Sequence, residues 1–398
     1  MKFEIVTGLD IGTSTIKALV LQSKQNTWEV LAYAEVPSFG LRKGAVVNVE
    51  ETSKNVQMTI SGLEKDCGRK IKSVFVNIGG SHLYVTPSDG IISVSRADQR
   101  ISKEDIDRVL QATKAINIPH NEEVLDVFPK EYIIDDQKGI KQPEGLTGIR
   151  LEAKVLLLCY FQPYFTNLTQ AVLNAKLQIN DVIPSPLAAA NAVLTPQQKE
   201  LGVALLDVGA STTSLAVFEE GELIHLAIFP IGSANITNDI AIGLRTEVAI
   251  AESIKKQHGM CMLAKSDSTK KIEVFDKSSS VNFTKKNLVN IIEPRVSEIL
   301  ELIQKELKKI NKQEMLPAGV VLTGGGVKIP KIKELTRDTL KLSCEIGVPK
   351  WIVGLQEDPA LATVAGLALE GVDLEGQSSN ILSGTTGWLK KWFRSFIP

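Results

Sequence analysis

The stretch Asp10-Ile11-Gly12-Thr13-Ser14-Thr15 is echoed in the second half of the chain by Asp207-Val208-Gly209-Ala210-Ser211-Thr212. Each copy follows an apolar run of β type, Phe3 to Leu9 and Leu201 to Leu206, and precedes an alternating one. Both read as strand, tight hydroxyl-rich turn, strand. Two such hairpins facing each other can hold a polyphosphate between backbone N–H groups and hydroxyls, while the two carboxylates reach a hydrated magnesium ion. The repeat therefore points to a two-lobed nucleotide cleft, with Mg2+ between the lobes.

A third element adds weight to the pair. Val321-Leu322-Thr323 reads as a buried strand that stops at Gly324-Gly325-Gly326, where the missing Cβ atoms let backbone lie flat against a ring. A lone Asp-x-Gly-[Ser/Thr] is an ordinary turn. It is the order and spacing of all three stretches that carries the reading. No Gly-x-x-x-x-Gly-Lys-[Ser/Thr] loop is present, and no Gly-x-Gly-x-x-Gly opens a helix after a strand, so neither a P-loop nor a dinucleotide fold is indicated.

Composition narrows the class. With 45 basic and 46 acidic residues the formal net charge is −1, and nothing in that balance calls for nucleic acid. Cys67, Cys159, Cys261 and Cys344 are scattered, and the four histidines complete no metal-ligand spacing with them, as expected of a reduced cytosolic protein. Glu4 and Asp10 fall inside what would have to be a signal core, and the longest apolar run, Val155 to Phe161, is too short to span a bilayer. A soluble α/β protein is expected through most of the length.

The texture along the chain suggests its divisions. Strand-like runs (Ile16 to Leu21, Val74 to Ile78) alternate with a helical stretch from Glu50 to about Glu64. From Ser81 to Cys159 the character changes: Ser102 and Asp105 predict a capping box for a helix through Ala115, and a run rich in Pro and Gly follows, which reads as an inserted subdomain. Helices are expected near Phe165 to Ala175 and Pro184 to Leu194, the second ended by Thr195-Pro196. The segment from Asn235 to about Leu316 reads as helical and charged, with Lys265 to Ser280 as an exposed loop. A last helix is expected over Thr363 to Glu370, followed by Gly-, Ser- and Asn-rich linker composition.

These stretches resemble the actin, Hsp70 and sugar-kinase superfamily. Asp10 to Ser14 with Lys17 is similar to its first phosphate loop, Asp207 to Thr212 to its second, and Leu322 to Gly326 to its adenosine loop. Ala192 to Thr195 and Pro359 to Leu367 are similar to its two connecting helices. The match puts Asn191 where actins carry the glutamine that helps position attacking water.

Four further stretches resemble one branch, FtsA, the bacterial cell-division actin homologue. They are Phe128 to Asp135 with Gly139 to Arg150, Ile231-Gly232 with Ile236 to Ala241, Ala251-Glu252 with Ile254-Lys255, and Ile292-Glu293-Pro294-Arg295. The resemblance implies a two-lobed actin-like ATPase fold of duplicated ribonuclease H-like cores, with the FtsA-type inserted subdomain. In numbers, it implies residues 1–81 and 160–195 as the lobe 1 core (1A), 82–159 as the insert (1C), and 196–234 as the first part of the lobe 2 core (2A). Residues 235–316 would form subdomain 2B, 317–370 the rest of lobe 2 with the closing helix, 371–386 a flexible linker and 387–398 a membrane-targeting helix.

The resemblance also implies roles and partners. Glu252 and Lys255 would lie near ribose and adenine. Asp10, Asn191 and Asp207 would serve catalysis, with Asp10 and Asp207 reaching the metal through water. The chain would polymerise, bind the C-terminal peptide of FtsZ with Arg295 taking part, recruit other division proteins, and act on the cytoplasmic face of the membrane at the division site. The second loop departs from the usual Asp-Ile-Gly-Gly-Gly-Thr-x-Asp at Ala210, Ser211 and Ser214. Added Cβ atoms limit the approach to a phosphate, and Ser214 removes a carboxylate that could order metal-bound water, so slow hydrolysis is expected. The altered loop also resembles PilM of pilus assembly, and a soluble kinase of the superfamily remains a further alternative.

The tail has its own pattern. At helical spacing Trp388, Leu389, Trp392, Phe393, Phe396 and Ile397 share one half of the wheel, while Lys390, Lys391, Arg394 and Ser395 share the other. No acid follows Glu375. A basic polar face opposite an aromatic one predicts a helix lying in a membrane surface.

Overall fold

Two five-stranded sheets with the same strand order form the frame of the molecule. The computed structural model of the chain describes residues 5–24, 27–263, 271–276 and 279–379. In the first sheet Ile5–Ile11 pairs antiparallel with Thr15–Lys24, which pairs antiparallel with Thr27–Pro37; on its other side Ile5–Ile11 runs parallel to Ser73–Ile78, and that strand runs parallel to Gln178–Pro184. In the second sheet Val203–Val208, Thr213–Glu219 and Glu222–Phe229 form the antiparallel half, and Val320–Thr323 and Cys344–Ile346 the parallel half. The echo in the sequence is thus an echo in topology.

The central strands are apolar on both faces because both faces are covered. Leu9, Leu19, Leu21, Leu205 and Val217 are all buried. On the first sheet packs Val49–Cys67, a helix that starts at Asn48, whose side chain accepts from the Glu51 N–H, and ends at Gly68 in the left-handed conformation. The closing helix Ala362–Ser379 meets the opposite side. A Cβ on Gly8 would come within 2.7 Å of the Val364 carbonyl oxygen, so glycine lets that helix lie directly on the strand.

The lobes are joined by the helix Ser185–Val193 packed against the closing helix. Their contact is backbone to backbone: a Cβ on Gly366 would sit 1.7 Å from the Ala188 carbonyl oxygen. A third crossing comes from the segment after Cys344–Ile346. It leaves lobe 2, pairs with the edge of the first sheet (Val30 N–H to the Val353 oxygen, 3.0 Å; Val353 N–H to the Trp28 oxygen, 2.9 Å) and returns where the Pro359 oxygen accepts from the Gly324 N–H.

Residues 82–159 hold a separate antiparallel sheet ordered Tyr84–Ser93, Arg150–Phe161, Glu122–Ile134, Gln137–Ile140. Its helix Lys103–Ala112 begins in the expected Ser102–Asp105 capping box. Burial works to raise the Asp105 carboxyl, but hydrogen bonds from Ser102 and Ser95 hold it down at about 2. Its own core, including Ile106, Val109, Leu151 and Leu157, makes it a distinct packing unit.

Four sequence expectations need correction. Gln178–Pro184 is a fifth strand where only a helix boundary was read, and Thr195, just past the helix Ser185–Val193, caps a further helix, Pro196–Leu201. The stretch read as a loop from Lys265 to Ser280 holds the strand Lys271–Asp276 and the start of its hairpin partner Ser279–Thr284. The closing helix does not stop at Gly371 but runs through Ser379, so the helix takes up the first part of the expected linker.

Candidate functional site

The two echoed turns are built alike. In the first the Gly12 N–H donates to the Thr15 oxygen at 3.1 Å, and in the second the Gly209 N–H donates to the Thr212 oxygen at 2.9 Å. The turns also touch: the Ser211 hydroxyl donates to the Thr13 hydroxyl at 2.8 Å, across the gap between lobes. Around this contact opens a cleft of about 710 Å³, ample for a small-molecule ligand.

Sheet register decides what faces the cleft, because directly paired residues on neighbouring strands share a face. Asp10 pairs with Lys17, and Lys17 pairs with Glu35. Asn77 lies next to Val76, the partner of Leu9, so Asn77, Asp10, Lys17 and Glu35 form one row along the floor of lobe 1. In lobe 2 Asp207 pairs with Thr323 on one side and Ser214 on the other. Asp207 and Ser214 line the cleft, whereas Thr323 is buried and donates to the Gly347 and Pro359 oxygens.

Electrostatics differ along the two rows. Burial pushes the Asp10 carboxyl up and the Lys17 ammonium, 3.9 Å away, pulls it back, while the Glu35 charge pushes it further up. Asp207 is pushed up to about 6, first by burial and then by the charge of Asp10; Lys17 and a 3.4 Å hydrogen bond from Thr363 act against this. Two carboxylates crowded in a low-dielectric gap repel, which is an arrangement that a divalent cation between them would relieve.

The glycine loop closes the third side. Gly324 has φ +88°, and a Cβ there would meet Asp207 Oδ1 at 2.2 Å and the Val208 oxygen at 2.7 Å. Only glycine fits both the conformation and the space. Gly325 and Gly326 continue the wall, which Lys328 and Asp358, ion-paired at 2.6 Å, extend.

The far wall is the helix Val248–His258. Lys255 is buried and its ammonium is satisfied by Glu252 (2.7 Å), the Thr237 hydroxyl (2.7 Å) and the Ser233 oxygen (3.1 Å). Burial works to raise Glu252, but hydrogen bonds from Lys255 and Thr237 hold it below the ordinary carboxylate range. Glu252, Lys255 and Lys256 all line the cleft.

The structure therefore gathers Asp10, Gly12, Thr13, Ser14, Lys17, Asp207, Gly209, Ala210, Thr212, Glu252, Lys255, Gly324, Gly325 and Gly326 around one space. Ser211 is turned to Thr13 rather than to the cleft. Asn191 is not part of the wall. Its amide donates to Glu370 at 3.1 Å, because the face of Ser185–Val193 that carries it packs on the closing helix. Arg295 is held in a two-pronged pair with Asp239 (2.6 and 2.9 Å) and by Glu298, tying the helix Lys285–Lys309 to Ser233–Leu244. The tail residues Trp388 to Ile397 lie outside the described residues. Among the described residues no helix is long and apolar enough to cross a membrane.

Sequence reasoning missed Asn77, Glu35, Ser185 and Thr363. Asn77 carried a signal, being a polar residue inside the apolar run Val74 to Ile78 just before Gly79-Gly80.

Comparison with known proteins agrees with the geometry. Residues 204–366 match the family described as cell division protein FtsA, and residues 80–159 match the SHS2 domain inserted in FtsA. The chain is 37% identical over 391 residues to cell division protein FtsA of Pseudomonas aeruginosa, covering 96% of this chain and 93% of that one. The chain belongs to the FtsA family. The FtsA proteins of Bacillus subtilis (35% identity; 92% of this chain, 82% of that one) and Escherichia coli K12 (30% identity; 98% of each) agree.

Solved structures show that the fold is actin-like. The PilM-PilN type IV pilus biogenesis complex gives a TM-score of 0.67 at 20% identity, covering 92% of this chain and 98% of that one. MreB5 of Spiroplasma citri bound to ADP gives 0.58 at 13%, covering 95% and 99%. At these identities they share the fold alone, so the pilus alternative is a structural likeness while FtsA is the family.

Proposed function

We propose that this FtsA-family protein binds ATP with Mg2+ between its lobes, self-assembles, and tethers FtsZ filaments to the cytoplasmic face of the membrane at the division site. The observation that carries the nucleotide part is the approach of the two turns to hydrogen-bonding distance through Ser211 and Thr13, with Asp10 and Asp207 beside them. The N–H groups and hydroxyls of Gly12 to Ser14 and Gly209 to Thr212 would grip the phosphates. Asp10 and Asp207 would hold the metal through its water shell, and Gly324 to Gly326 would admit the adenosine. The metal neutralises phosphate charge when bound.

Hydrolysis is expected to be slow. Ser214 stands where a carboxylate could order water, and Asn191 is committed to Glu370. Steady turnover of the purified protein well above about one per second, the low end for enzymes, would contradict this.

The adaptor part is supported by family membership and by the tail sequence. A single tail with six apolar and three basic side chains binds a membrane weakly, since gains of about 1 kcal/mol per basic residue near anionic lipid and partial apolar burial offset chain ordering of about 1 to 2 kcal/mol per residue. A polymer presenting many tails gains avidity, so assembly and attachment reinforce each other. An FtsZ peptide that engages Arg295 must compete with Asp239 for it. The test is co-pelleting of the full chain with ATP, anionic liposomes and FtsZ. All should sediment together, and truncation after Gly384 should release the protein from liposomes. Unchanged sedimentation of the truncated chain would remove the tail as anchor, and binding of a pilus peptide in place of the FtsZ tail would overturn the partner.

A further inference from the structure

Asn77 sits at the centre of a fixed hydrogen-bond set behind Asp10. The Ile11 N–H donates to its Oδ1 at 2.7 Å, which settles the orientation of the amide. Its Nδ2 then donates twice, to Asp10 Oδ1 at 2.9 Å and to the Ser185 hydroxyl at 3.1 Å. The Ser185 hydroxyl in turn donates to the Ile78 oxygen at 3.1 Å, so it accepts from Asn77. Both N–H donors of the carboxamide are used and its oxygen has a partner, and the residue is buried.

We infer that Asn77 is a positioning residue of the cleft, fixing the Asp10 carboxylate so that Oδ2 faces the metal space, and that Ser185 anchors it. The inference rests on the reading of the cleft as a Mg2+–nucleotide site. A carboxylate free at Cβ has several rotamers, and only those that aim an oxygen into the gap serve a hydrated cation. Asn77 removes the choice by occupying Oδ1. Ser185 is the first residue of the helix that connects the lobes, so a shift of that helix reaches Asp10 through two hydrogen bonds. An aspartate at position 77 could not do this, having no donor for Asp10.

The test compares ATP affinity of the full chain in Mg2+ and in excess EDTA. The wild type should bind more tightly in Mg2+. Asn77→Ala should weaken binding in Mg2+ about tenfold, the scale for loss of an outer-shell partner, and change it less than twofold in EDTA. Ser185→Ala, a milder change that keeps the strand intact, should show the same pattern at about threefold. In an Asp10→Asn background Asn77→Ala should add nothing further in Mg2+. Equal losses in both conditions, or no loss in either variant, would overturn the role of Asn77 and leave the nucleotide site standing. A wild type that binds no ATP in Mg2+ would remove the site and this inference together.

Discussion

Lobe 1 and lobe 2 present the same strands in the same order to the cleft, yet they treat their matching carboxylates differently. In lobe 1 Asp10 is flanked by Lys17 and clamped by Asn77, so part of its burial is offset. In lobe 2 the equivalent neighbours of Asp207 are Ser214 and Thr323, and Thr323 turns its hydroxyl away to the Gly347 and Pro359 oxygens. Asp207 has only one long bond, from Thr363, and the pull of Lys17 to set against burial and the push of Asp10, and its carboxyl rises to about 6. A duplicated frame can thus raise both carboxyls by burial while giving one a short side-chain clamp and the other a single long bond. The less clamped side, Asp207, is where a bound cation should matter most.

The largest expected effect comes from the glycine against Asp207. Gly324→Ala adds left-handed strain of about 1–2 kcal/mol to an overpacking of about 1–3 kcal/mol, and it displaces the carboxylate. Nucleotide binding, followed by titration calorimetry, should be lost. Gly12→Ala, whose Cβ would press on the Thr15 oxygen at 2.8 Å but lie 4.0 Å from Asp10 Oδ1, and which carries no such strain, should do less. Equal losses would erase the difference between lobes.

Next is the pH dependence of stability without nucleotide. The Asp207 pKa is raised in the folded state, so the unfolded chain ionises first. The protonated group favours folding below about pH 4, and this is lost as pH rises to about 6. At about 1.4 kcal/mol per unit, Asp207→Asn should stabilise the protein by about 2–3 kcal/mol at neutral pH, with the gain fading in acid. Asp10→Asn should gain less, since the Asp10 carboxylate also accepts from Asn77 at 2.9 Å. Denaturant melts across this range would show the crossover, and a larger gain at Asp10 would invert the comparison.

The smallest effect tests the contact between the lobes. Ser211→Gly deletes one hydrogen bond with a net value of about 0.5–1.5 kcal/mol. Release of a fluorescent ATP analogue should quicken by a few fold. An unchanged rate would mean that the Ser211–Thr13 bond is not opened during release.

Much of this was legible locally. The echoed turns, the three glycines and the Ser102–Asp105 box are decided within a few residues, so their meaning survives without tertiary context. The missed elements are those where context wins. Gln178–Pro184 hides its strand period behind Asn180 and Asp181 and a register shift, with only Val182 to Pro184 buried. The strands Lys271–Asp276 and Ser279–Thr284 carry Lys, Glu, Asp, Ser and Asn among their few apolar residues, so their composition reads as loop. Gly371 looked like a terminator but lies within the helix, where a Cβ would meet Val6 and Phe75 at 2.3 and 2.4 Å. Asn191 was placed by position in the chain, but helix rotation turns it to Glu370. Asn77 and Glu35 reach the site through sheet register, which one strand alone cannot reveal.

The most direct measurement is calorimetric titration of the full chain with ATP in Mg2+, alone and with Asp10→Asn, Asp207→Asn and both together. A single nucleotide per chain should bind, either exchange should weaken it strongly, and the double exchange should weaken it by less than the sum. Parent affinity retained by either single variant, or two independent binding events, would show that the lobes do not share one ligand.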